Sequence, residues 1–275
     1  MADELRPLVT QETVEQIRLA AGKGLASLDC SLDLGRTTAR LEPLADGFVW
    51  QGRRFPLPER CRDRTVYAWD GQGFEPLARF NGSLIKLVPT EWGTPVFEID
   101  GIKMLVSARI SPWDDARDKV RLVQPAGKVV LDCCGGLGYF AAWCLADGAK
   151  RILSFEKNSD VIWLRGLNPW SPPVGGALEL TEGRVQDHIA SIPTASVDAV
   201  LHDPPRFGIA GELYSEDFYR QLARVLRRGG TLFHYTGTPN KLTSGRDLPR
   251  EVTRRLSQAG FKAAPHGDGV LATRR

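Results

Sequence analysis

The sequence predicts an α/β protein: a doubly wound parallel sheet over residues 111–275, preceded by a smaller β-rich α+β domain over residues 1–110. After Ile110, apolar runs typical of strands alternate with amphipathic segments typical of helices. Before Ile110, short apolar runs are separated by turn residues. The chain has 275 residues, of which 42% are hydrophobic and 25% charged. That ordinary globular composition suits one large domain or two smaller ones.

The front domain is predicted to begin with a helix and to continue as an antiparallel β unit. Thr10 is a candidate N-cap for an amphipathic helix over Thr10–Ala21. Asp70-Gly71 and Asp100-Gly101 are plausible hairpin turns. The predicted strands are Thr38–Leu41, Gly47–Trp50, Thr65–Trp69, Ser83–Val88 and Pro95–Ile99.

The second part alternates strand and helix in chain order. Predicted strands are Lys128–Cys133, Arg151–Phe155, Ala177–Leu180, Val197–His202, Thr231–Tyr235 and Val270–Ala272. Predicted helices are Tyr139–Asp147, Ser159–Leu167, a helix capped by Ser215 and stopped by Gly229-Gly230, and Leu248–Ala259. In such sheets ligands bind beyond the carboxyl ends of the strands, so the residues that follow each strand are the candidates for function.

Composition excludes several classes of protein. There are 36 Lys and Arg against 33 Asp and Glu, a net charge of +3, which is not the strongly basic balance of an obligate nucleic-acid binder. No apolar run is long enough to span a membrane, and the acidic start does not resemble a secretion signal. Five Cys form neither a disulfide framework nor a metal-binding pattern. We expect a cytoplasmic protein without a metal; its oligomeric state is left open.

A glycine-rich loop follows the first strand of the second part, in the stretch Asp132-Cys133-Cys134-Gly135-Gly136-Leu137-Gly138. Glycine lets the backbone approach a ligand closely, and the following helix N-terminus offers free N–H groups. Gly136-x-Gly138-x-x-Ala141, with Glu156 about 20 residues further on, fits a dinucleotide site. The loop also fits the first motif of S-adenosylmethionine enzymes, with a Cys in place of one Gly. The loop alone does not separate these two cofactors.

The end of the fourth predicted strand favours the S-adenosylmethionine interpretation over the dinucleotide interpretation. Asp203-Pro204-Pro205-Arg206-Phe207 follows the apolar run Ala199-Val200-Leu201. Proline rarely occurs inside a central strand, so two prolines here indicate a rigid loop at the ligand-binding edge of the sheet. Asp203 is then expected near the glycine-rich loop.

From Ser111 to the end, the sequence resembles the class I S-adenosylmethionine-dependent methyltransferases, whose sheet is Rossmann-like. Within them it is most similar to a poorly characterised, often archaeal group of predicted methyltransferases. The matching segments are Ser111-Pro112-Trp113, the DPPRF stretch from Asp203 to Phe207, and Phe233 to Gly237. The resemblance implies S-adenosyl-L-methionine as the cofactor.

The resemblance also implies roles for cofactor-binding residues. Gly136 and Gly138, with Cys134 in the same turn, would pass under the methionine and ribose. Asp132 would contact the methionine end of the cofactor. Glu156 would accept hydrogen bonds from both ribose hydroxyls, and Asp187 would accept one from the adenine amino group.

Catalysis is expected at the Asp-Pro-Pro loop. In relatives with an Asp/Asn-Pro-Pro-aromatic motif, the first two residues accept hydrogen bonds from a substrate amine and the aromatic ring stacks on a base. Asp203 and Pro204 match the first two positions, but Arg206 stands at the aromatic position and Phe207 follows it. Arg206 is therefore open to three interpretations: an anion contact, a stack on a base, or an internal salt bridge. His202 and His234 are expected to be packed, hydrogen-bonded residues, and Cys133 and Cys134 to be packed rather than nucleophilic.

The front domain is expected to select the substrate. Its basic stretch contains Arg53 and Arg54 beside Trp50 and Phe55, a pattern suited to phosphates and unpaired bases or simply to a solvated loop. The sequence thus favours methyl transfer to a nitrogen or other nucleophile of tRNA or rRNA. Small-molecule methyl transfer is the first alternative. Polyamine aminopropyl transfer is the second, disfavoured because Asp203 has no acidic neighbour in sequence. An NAD-linked oxidoreductase and a non-catalytic binding module rank lower.

Overall fold

The structure is a computed structural model that describes residues 6–237 and 247–275. This part of the chain divides into two compact units. Unit 1 comprises residues 6–113 together with Leu167–Trp170, and unit 2 comprises Asp114–Gly166 together with the described residues from Ser171 to Arg275. No feature of the sequence predicted the return of four residues to unit 1.

Unit 1 is a β-rich domain with one helix among its described residues. The helix, α1, spans Gln11–Gly22. The strands are β1 Leu8–Val9, β2 Leu28–Cys30, β3 Ala39–Leu44, β4 Gly47–Trp50, β5 Arg53–Pro56, β6 Tyr67–Trp69, β7 Phe74–Pro76, β8 Ala78–Phe80, β9 Leu84–Val88, β10 Val96–Ile99 and β11 Ile102–Lys103. They form antiparallel sheets in the orders β1-β6-β7, β2-β3-β4-β5 and β8-β9-β10-β11. The expected antiparallel β unit is therefore present.

The core of unit 1 follows from its apolar pattern. The Thr10 hydroxyl caps α1 by accepting from the Thr13 N–H at 3.3 Å, and Val14 and Ile17 on one helical face are buried. Aromatic rings fill the space behind the strands: Phe55 stacks on Phe48 with centroids 5.3 Å apart and meets the edge of Trp69 at 5.1 Å.

Unit 2 contains the alternating elements. Its helices are α2 Pro112–Val123, whose first turn contains the division between the units, α3 Tyr139–Ala146, α4 Ser159–Leu167, α5 Val185–His188, α6 Glu216–Val225 and α7 Leu248–Gln258. Short 3-10 helices cover Ile189–Ser191 and Gly211–Tyr214. The strands are β12 Val129–Asp132, β13 Arg151–Glu156, β14 Leu178–Glu182, β15 Val197–His202, β16 Leu226–Tyr235, β17 Phe261–His266 and β18 Gly269–Arg274.

These strands form one large sheet in the order β14-β13-β12-β15-β16-β18-β17. Neighbours from β14 to β16 are parallel, whereas β18 runs antiparallel to both β16 and β17. The prediction of a parallel sheet is therefore right for the part that contains the glycine-rich loop and the Asp-Pro-Pro loop. It is wrong at one edge, where β17 and β18 form a hairpin across a short turn.

Three elements of unit 2 differ from expectation. The helix α6 ends at Val225, and Gly229-Gly230 lies inside β16 because Leu226 already has extended backbone angles. Strand β17 was missed because it contains Pro265, which is tolerated at a sheet edge. Helix α2 was missed because its charged residues hide a buried face.

Candidate functional site

Three acidic residues end or follow neighbouring strands of the large sheet. Asp132 ends β12, Glu156 ends β13, and Asp203 follows β15. Strand β12 lies between the other two, with Asp132 paired to Ser154 on one side and to Leu201 on the other. Because these strands are parallel, the three acids meet at the same edge of the sheet, where ligands bind in this class of sheet.

The Glu156 carboxylate supports the glycine-rich loop. Its two oxygens accept the N–H groups of Gly136 and Asn158, each at 2.9 Å. Burial raises the pKa of Glu156, while these two hydrogen bonds, Arg165 and Lys157 act to lower it. A carboxylate has about four lone-pair positions, so two remain to accept donors from a ligand.

A cavity opens beside Glu156. Apolar side chains, including Phe155, Val185 and Leu213, make up part of its wall. Its lining consists of Cys133, Cys134, Phe155, Glu156, Lys157, Gly183, Arg184, Val185, Gln186, Pro205, Ala210, Glu212 and Leu213. Apolar walls with a few polar groups are typical of small-molecule sites.

Asp187, the predicted adenine contact, lies in α5 just beyond this lining. Its carboxylate accepts from Arg184 Nε at 2.9 Å, and both side chains are more than half exposed. Its neighbour Gln186 lines the cavity instead. The structure thus brings Glu156 and Gln186 together at the cavity and leaves Asp187 on the surface.

Arg165 lies beneath the glycine-rich loop and was missed at the sequence level. A Cβ atom added to Gly135 would be 3.0 Å from its Nη1, and one added to Gly138 would be 2.5 Å from its Cζ. Gly138 also has φ +83°, which disfavours other residues. The glycines are therefore required by the close approach of a buried guanidinium as well as by the turn itself.

Asp132 is buried with Arg165 and not open to the cavity. Its Oδ2 accepts from the Ser154 hydroxyl at 2.8 Å, and its side chain is almost fully buried. Burial raises the pKa of Asp132 to about 6, against the opposing effects of Ser154 and Arg165. Asp132 therefore lies against the loop through Ser154 and Arg165, and its contact with the methionine end of the cofactor, directly or through water, stays a prediction.

Asp203 lies among charged side chains that come from distant parts of unit 2. Burial raises its pKa to about 7; Lys119 opposes this rise, and Asp115 and Asp268 add to it. Lys119 Nζ is 2.7 Å from Asp115 Oδ2 and 3.6 Å from Asp268 Oδ2. Asp203 is therefore not isolated, as the sequence had suggested, because folding supplies acidic neighbours, Asp115 and Asp268 among them, and the basic Lys119.

The rest of the Asp-Pro-Pro loop is divided between core and surface. Pro204 is buried, and the Pro205 carbonyl accepts from the Tyr214 hydroxyl at 3.0 Å. Phe207 packs edge-on against Tyr214 with centroids 5.3 Å apart. Arg206 is exposed and forms no ion pair among the described residues, so the internal salt bridge considered for it is not found there.

His202 and His234 are buried and hydrogen-bonded, as expected. His234 Nδ1 donates to the Tyr235 carbonyl at 2.8 Å, so its Nε2 accepts from the Tyr219 hydroxyl at 2.8 Å. His202 Nε2 donates to the Leu213 carbonyl at 3.0 Å. Burial lowers the pKa of His202 to about 4 and that of His234 well below its ordinary value. Both rings are neutral packing elements at neutral pH.

Cys134 lines the cavity, and both Glu156 and Asp203 act on its thiol. Burial, together with Glu156 and Asp203, raises the pKa of its thiol well above the ordinary value. Since the thiolate is the nucleophilic form, this environment disfavours covalent chemistry at Cys134.

Arg53 and Arg54 of the front domain contact other residues of unit 1. The Arg53 guanidinium lies over the rings of Phe55 and Trp69, at 5.4 and 5.6 Å from their centroids. Arg54 pairs with Asp46 at 2.7 Å, but the two side chains are 61% and 69% exposed. An ion pair that open to solvent contributes little, so Arg54 can exchange Asp46 for another anion.

Neither a metal cluster nor a membrane-spanning helix occurs in residues 6–237 and 247–275. Among these described residues, no three or more His, Cys, Asp or Glu side chains are arranged to hold a metal ion. No helix in the same part of the chain combines the length and apolarity needed to cross a membrane.

The large sheet, with the glycine-rich loop after β12 and acidic residues at neighbouring strand ends, has a Rossmann-like α/β fold. Other solved structures share this fold, among them the following two. One is spermidine synthase in complex with the transition-state analogue AdoDATO, with a TM-score of 0.56 and 16% identity over 71% of each chain. The other is a predicted S-adenosylmethionine-dependent methyltransferase from Streptococcus mutans, with a TM-score of 0.50 and 15% identity over 76% of this chain and 57% of that one. The predicted fold class is confirmed.

No family model matches the sequence. The chain is, however, 40% identical over 210 residues to the uncharacterized protein MJ1233 of Methanocaldococcus jannaschii, covering 74% of this chain and 72% of that protein. It belongs to the same family as this archaeal protein.

Proposed function

We propose that the protein transfers a methyl group from S-adenosyl-L-methionine to a nitrogen or another nucleophile of its substrate. The observation that carries this proposal is the shared edge of β12, β13 and β15, where the Glu156-supported loop and its cavity lie beside Asp203. The fold of the S. mutans methyltransferase supports the proposal.

The residues at this edge fit the adenosyl part of the cofactor. The free lone pairs of Glu156 suit two ribose hydroxyls, and the apolar wall of Phe155, Val185 and Leu213 suits a purine ring. Gln186 offers an amide that both donates and accepts. When bound, the cofactor supplies an activated methyl group on a sulfonium.

Asp203 and Pro204 are assigned to the methyl acceptor. An ionised Asp203 accepts a hydrogen bond from the acceptor's N–H or O–H and thereby orients its lone pair. Because positioning supplies much of the rate in such a transfer, the loop need only be rigid and correctly placed, which its buried Pro204 favours. Arg206 is exposed beside it and is assigned to an anionic or planar group of the substrate.

Binding calorimetry tests the cofactor assignment. We expect S-adenosylhomocysteine to bind, and methylthioadenosine and NAD to bind far more weakly. Glu156→Gln should weaken S-adenosylhomocysteine binding by about 1–3 kcal/mol, the scale of a hydrogen bond to a charged group. Glu179→Gln, a neighbouring strand residue in a half-exposed pair with Arg151, is the matched control and should bind normally. Binding of NAD alone, or equal affinity in both variants, would refute the assignment.

We propose an RNA base as the methyl acceptor, and the support for this choice comes from the arginines of the front domain. Arg54, Arg60, Arg62 and Arg64 are exposed within eleven residues of sequence, next to Arg53 in its aromatic stack. Exposed arginines release counterions when they contact phosphates, so each contact adds to the salt dependence of binding.

For the double variant Arg54→Ala/Arg60→Ala, we expect weaker binding to unmodified tRNA transcript and a salt slope that is smaller by about 1.5–2. Arg228→Ala, which removes an exposed charge from β16, should leave the slope unchanged. An identical slope in the double variant and the wild type would remove RNA from the proposal and leave small-molecule methyl transfer.

Aminopropyl transfer is a second candidate because of one observation. Asp115 and Asp268 join Asp203 around Lys119, and polyamine synthases use several carboxylates to hold an amine. Methyl transfer is preferred because the Lys119 ammonium already neutralises part of this acidic group. Tighter binding of methylthioadenosine than of S-adenosylhomocysteine would reverse this preference.

A further inference from the structure

We propose that Lys119 is a positioning residue for Asp203: its buried ammonium, fixed at the same edge of the sheet, favours the ionised form of the Asp203 carboxylate that accepts a hydrogen bond from the methyl acceptor. The role of Lys119 in catalysis rests on the proposed function of Asp203, but its effect on the Asp203 charge can be measured without any reaction.

Lys119 is unusual for a lysine because its side chain is only 6% exposed. It lies on α2 one turn after Asp115, which accepts from Nζ at 2.7 Å. Nζ also lies 3.9 Å from the centroid of the Tyr235 ring and 3.6 Å from Asp268 Oδ2. A lysine is rarely buried without specific partners, and these partners fix the ammonium from several sides.

The fold brings these partners to Asp203 from neighbouring strands. His202 of β15 pairs with His234 of β16, so Asp203 and Tyr235, which follow them, come next to each other at the end of parallel strands. Tyr235 pairs in turn with Gly269 of β18, which places Asp268 at the same edge. Helix α2 contributes Lys119 and Asp115 to this edge through the contacts above.

Lys119 is the cation among the charged groups that act on Asp203. Burial raises the pKa of Asp203 to about 7, Lys119 acts to lower it, and Asp115, Asp268 and Asp132 act to raise it. The titratable groups that face Asp203 from the surrounding elements are Lys119 and Asp115 of α2, Asp132 and Cys134 at the end of β12, Tyr214 of the 3-10 helix, Tyr235 of β16 and Asp268 of the β17–β18 turn. Loss of Lys119 would remove the charge that opposes burial and these negative neighbours.

Lys119 itself is held in the charged form. Its carboxylate neighbours, Asp203 first among them, raise its pKa in spite of its burial. A permanently protonated amine is neither a base nor a nucleophile. It can act only through its charge and its contacts, which is why we assign it to positioning.

The test is a titration of Asp203 in the whole protein by ¹³C NMR with ¹³C-labelled aspartate. The Asp203 signal is assigned by its loss in Asp203→Asn. In Lys119→Met we expect the apparent pKa of Asp203 to rise by about one or more, the effect of losing a neighbouring opposite charge. Lys119→Arg should stay close to the wild type. Asp268→Asn, which removes a negative neighbour, should shift the apparent pKa in the opposite direction.

An unchanged Asp203 titration in folded Lys119→Met would overturn the proposal. If Lys119→Met does not fold, the Asp203 titration in Asp268→Asn provides the test. An unchanged or raised apparent pKa of Asp203 in that variant would contradict the electrostatic coupling. S-adenosylhomocysteine calorimetry on the same samples distinguishes failure of the proposed function from failure of the coupling between Lys119 and Asp203. Wild-type protein that fails to bind it refutes the proposed function, whereas a shifted titration supports the coupling of Lys119 to Asp203 in either case.

Discussion

Asp203→Asn is expected to remove methyl transfer while making the folded protein more stable at pH 8. The folded-state pKa of Asp203 is about 7, whereas that of an aspartate in an unfolded chain is about 3.9. Between these values the folded state holds a proton that the unfolded state has lost, so stability falls as the pH rises. At pH 8 the ionised carboxylate costs about 2–4 kcal/mol, and an asparagine side chain does not carry this cost.

The loss of activity has a separate cause. The asparagine of the variant would keep an oxygen acceptor but not the negative charge that orients a donor and takes up its proton. For a group that assists a proton transfer, removal lowers the rate by about 10²–10⁴-fold. Binding of S-adenosylhomocysteine should change little, because Asp203 is outside the lining of the cavity.

Chemical denaturation at pH 5 and pH 8, with turnover on any acceptor that the wild type methylates, measures both effects. Asp203→Asn should exceed the wild type in stability by a smaller margin at pH 5 than at pH 8, because only part of the difference in proton binding between the folded and unfolded states has accumulated at pH 5. Asp217→Asn is the control, because the Asp217 side chain is 92% exposed in α6 and should show no such pH dependence. Full turnover in Asp203→Asn, or equal stability at both pH values, would contradict the assignment.

The acidic strand ends were predictable from the sequence because their placement depends on local order alone. Asp132, Glu156 and Asp203 each end or follow a mostly apolar strand, and parallel strands bring such positions to one edge. The same reasoning could not place Asp187, since the orientation of a side chain in a short helix depends on its local partner, Arg184.

The basic residues of the site were not predictable in the same way. Lys119 and Arg165 lie on helices, in sequence among charged or mixed neighbours, where a basic side chain is usually solvated. The burial of Lys119 depends on Asp268 from a distant hairpin, and that of Arg165 on the space left beside Gly135 and Gly138. Long-range pairing of this kind leaves no periodic pattern in one sequence. The one clue to the burial of Arg165 was its position directly after Leu164, which is buried in α4.

The buried guanidinium of Arg165 is expected to be the largest single electrostatic contribution to the stability of the glycine-rich loop. Arg165 lies between Asp132 and Glu156, and both carboxylates act to raise its pKa against the effect of burial. Its Nε and Nη2 atoms have no hydrogen-bond partner among the described residues. We therefore expect Arg165 to stabilise the loop through its charge more than through hydrogen bonds.

Arg165→Met keeps an unbranched side chain, although a shorter one, and leaves two buried carboxylates without the positive charge that acts on them. Removing one partner of a buried ion pair in direct contact costs about 3–5 kcal/mol. Because Arg165 forms no ion pair with either carboxylate among the described residues and acts on both through its charge, we expect a smaller loss at pH 8. The folded-state pKa of Asp132, already about 6, should rise further in the variant, so the folded state holds its proton to higher pH. The stability deficit should therefore be small at pH 5 and grow as the pH rises, because an ionised Asp132 is then unpaired.

Chemical denaturation at pH 5 and pH 8 measures this deficit, and two variants control it. Arg165→Lys keeps the charge and should lose less stability than Arg165→Met. Arg151→Met breaks an ion pair with Glu179 in which both side chains are about half exposed, and should cost at most about 1 kcal/mol at either pH. A deficit in Arg165→Met that is independent of pH would mean that Arg165 acts through packing under Gly138 alone. A deficit that grows with pH would instead identify its charge as the reason why an acidic strand end can be buried beneath the glycine-rich loop.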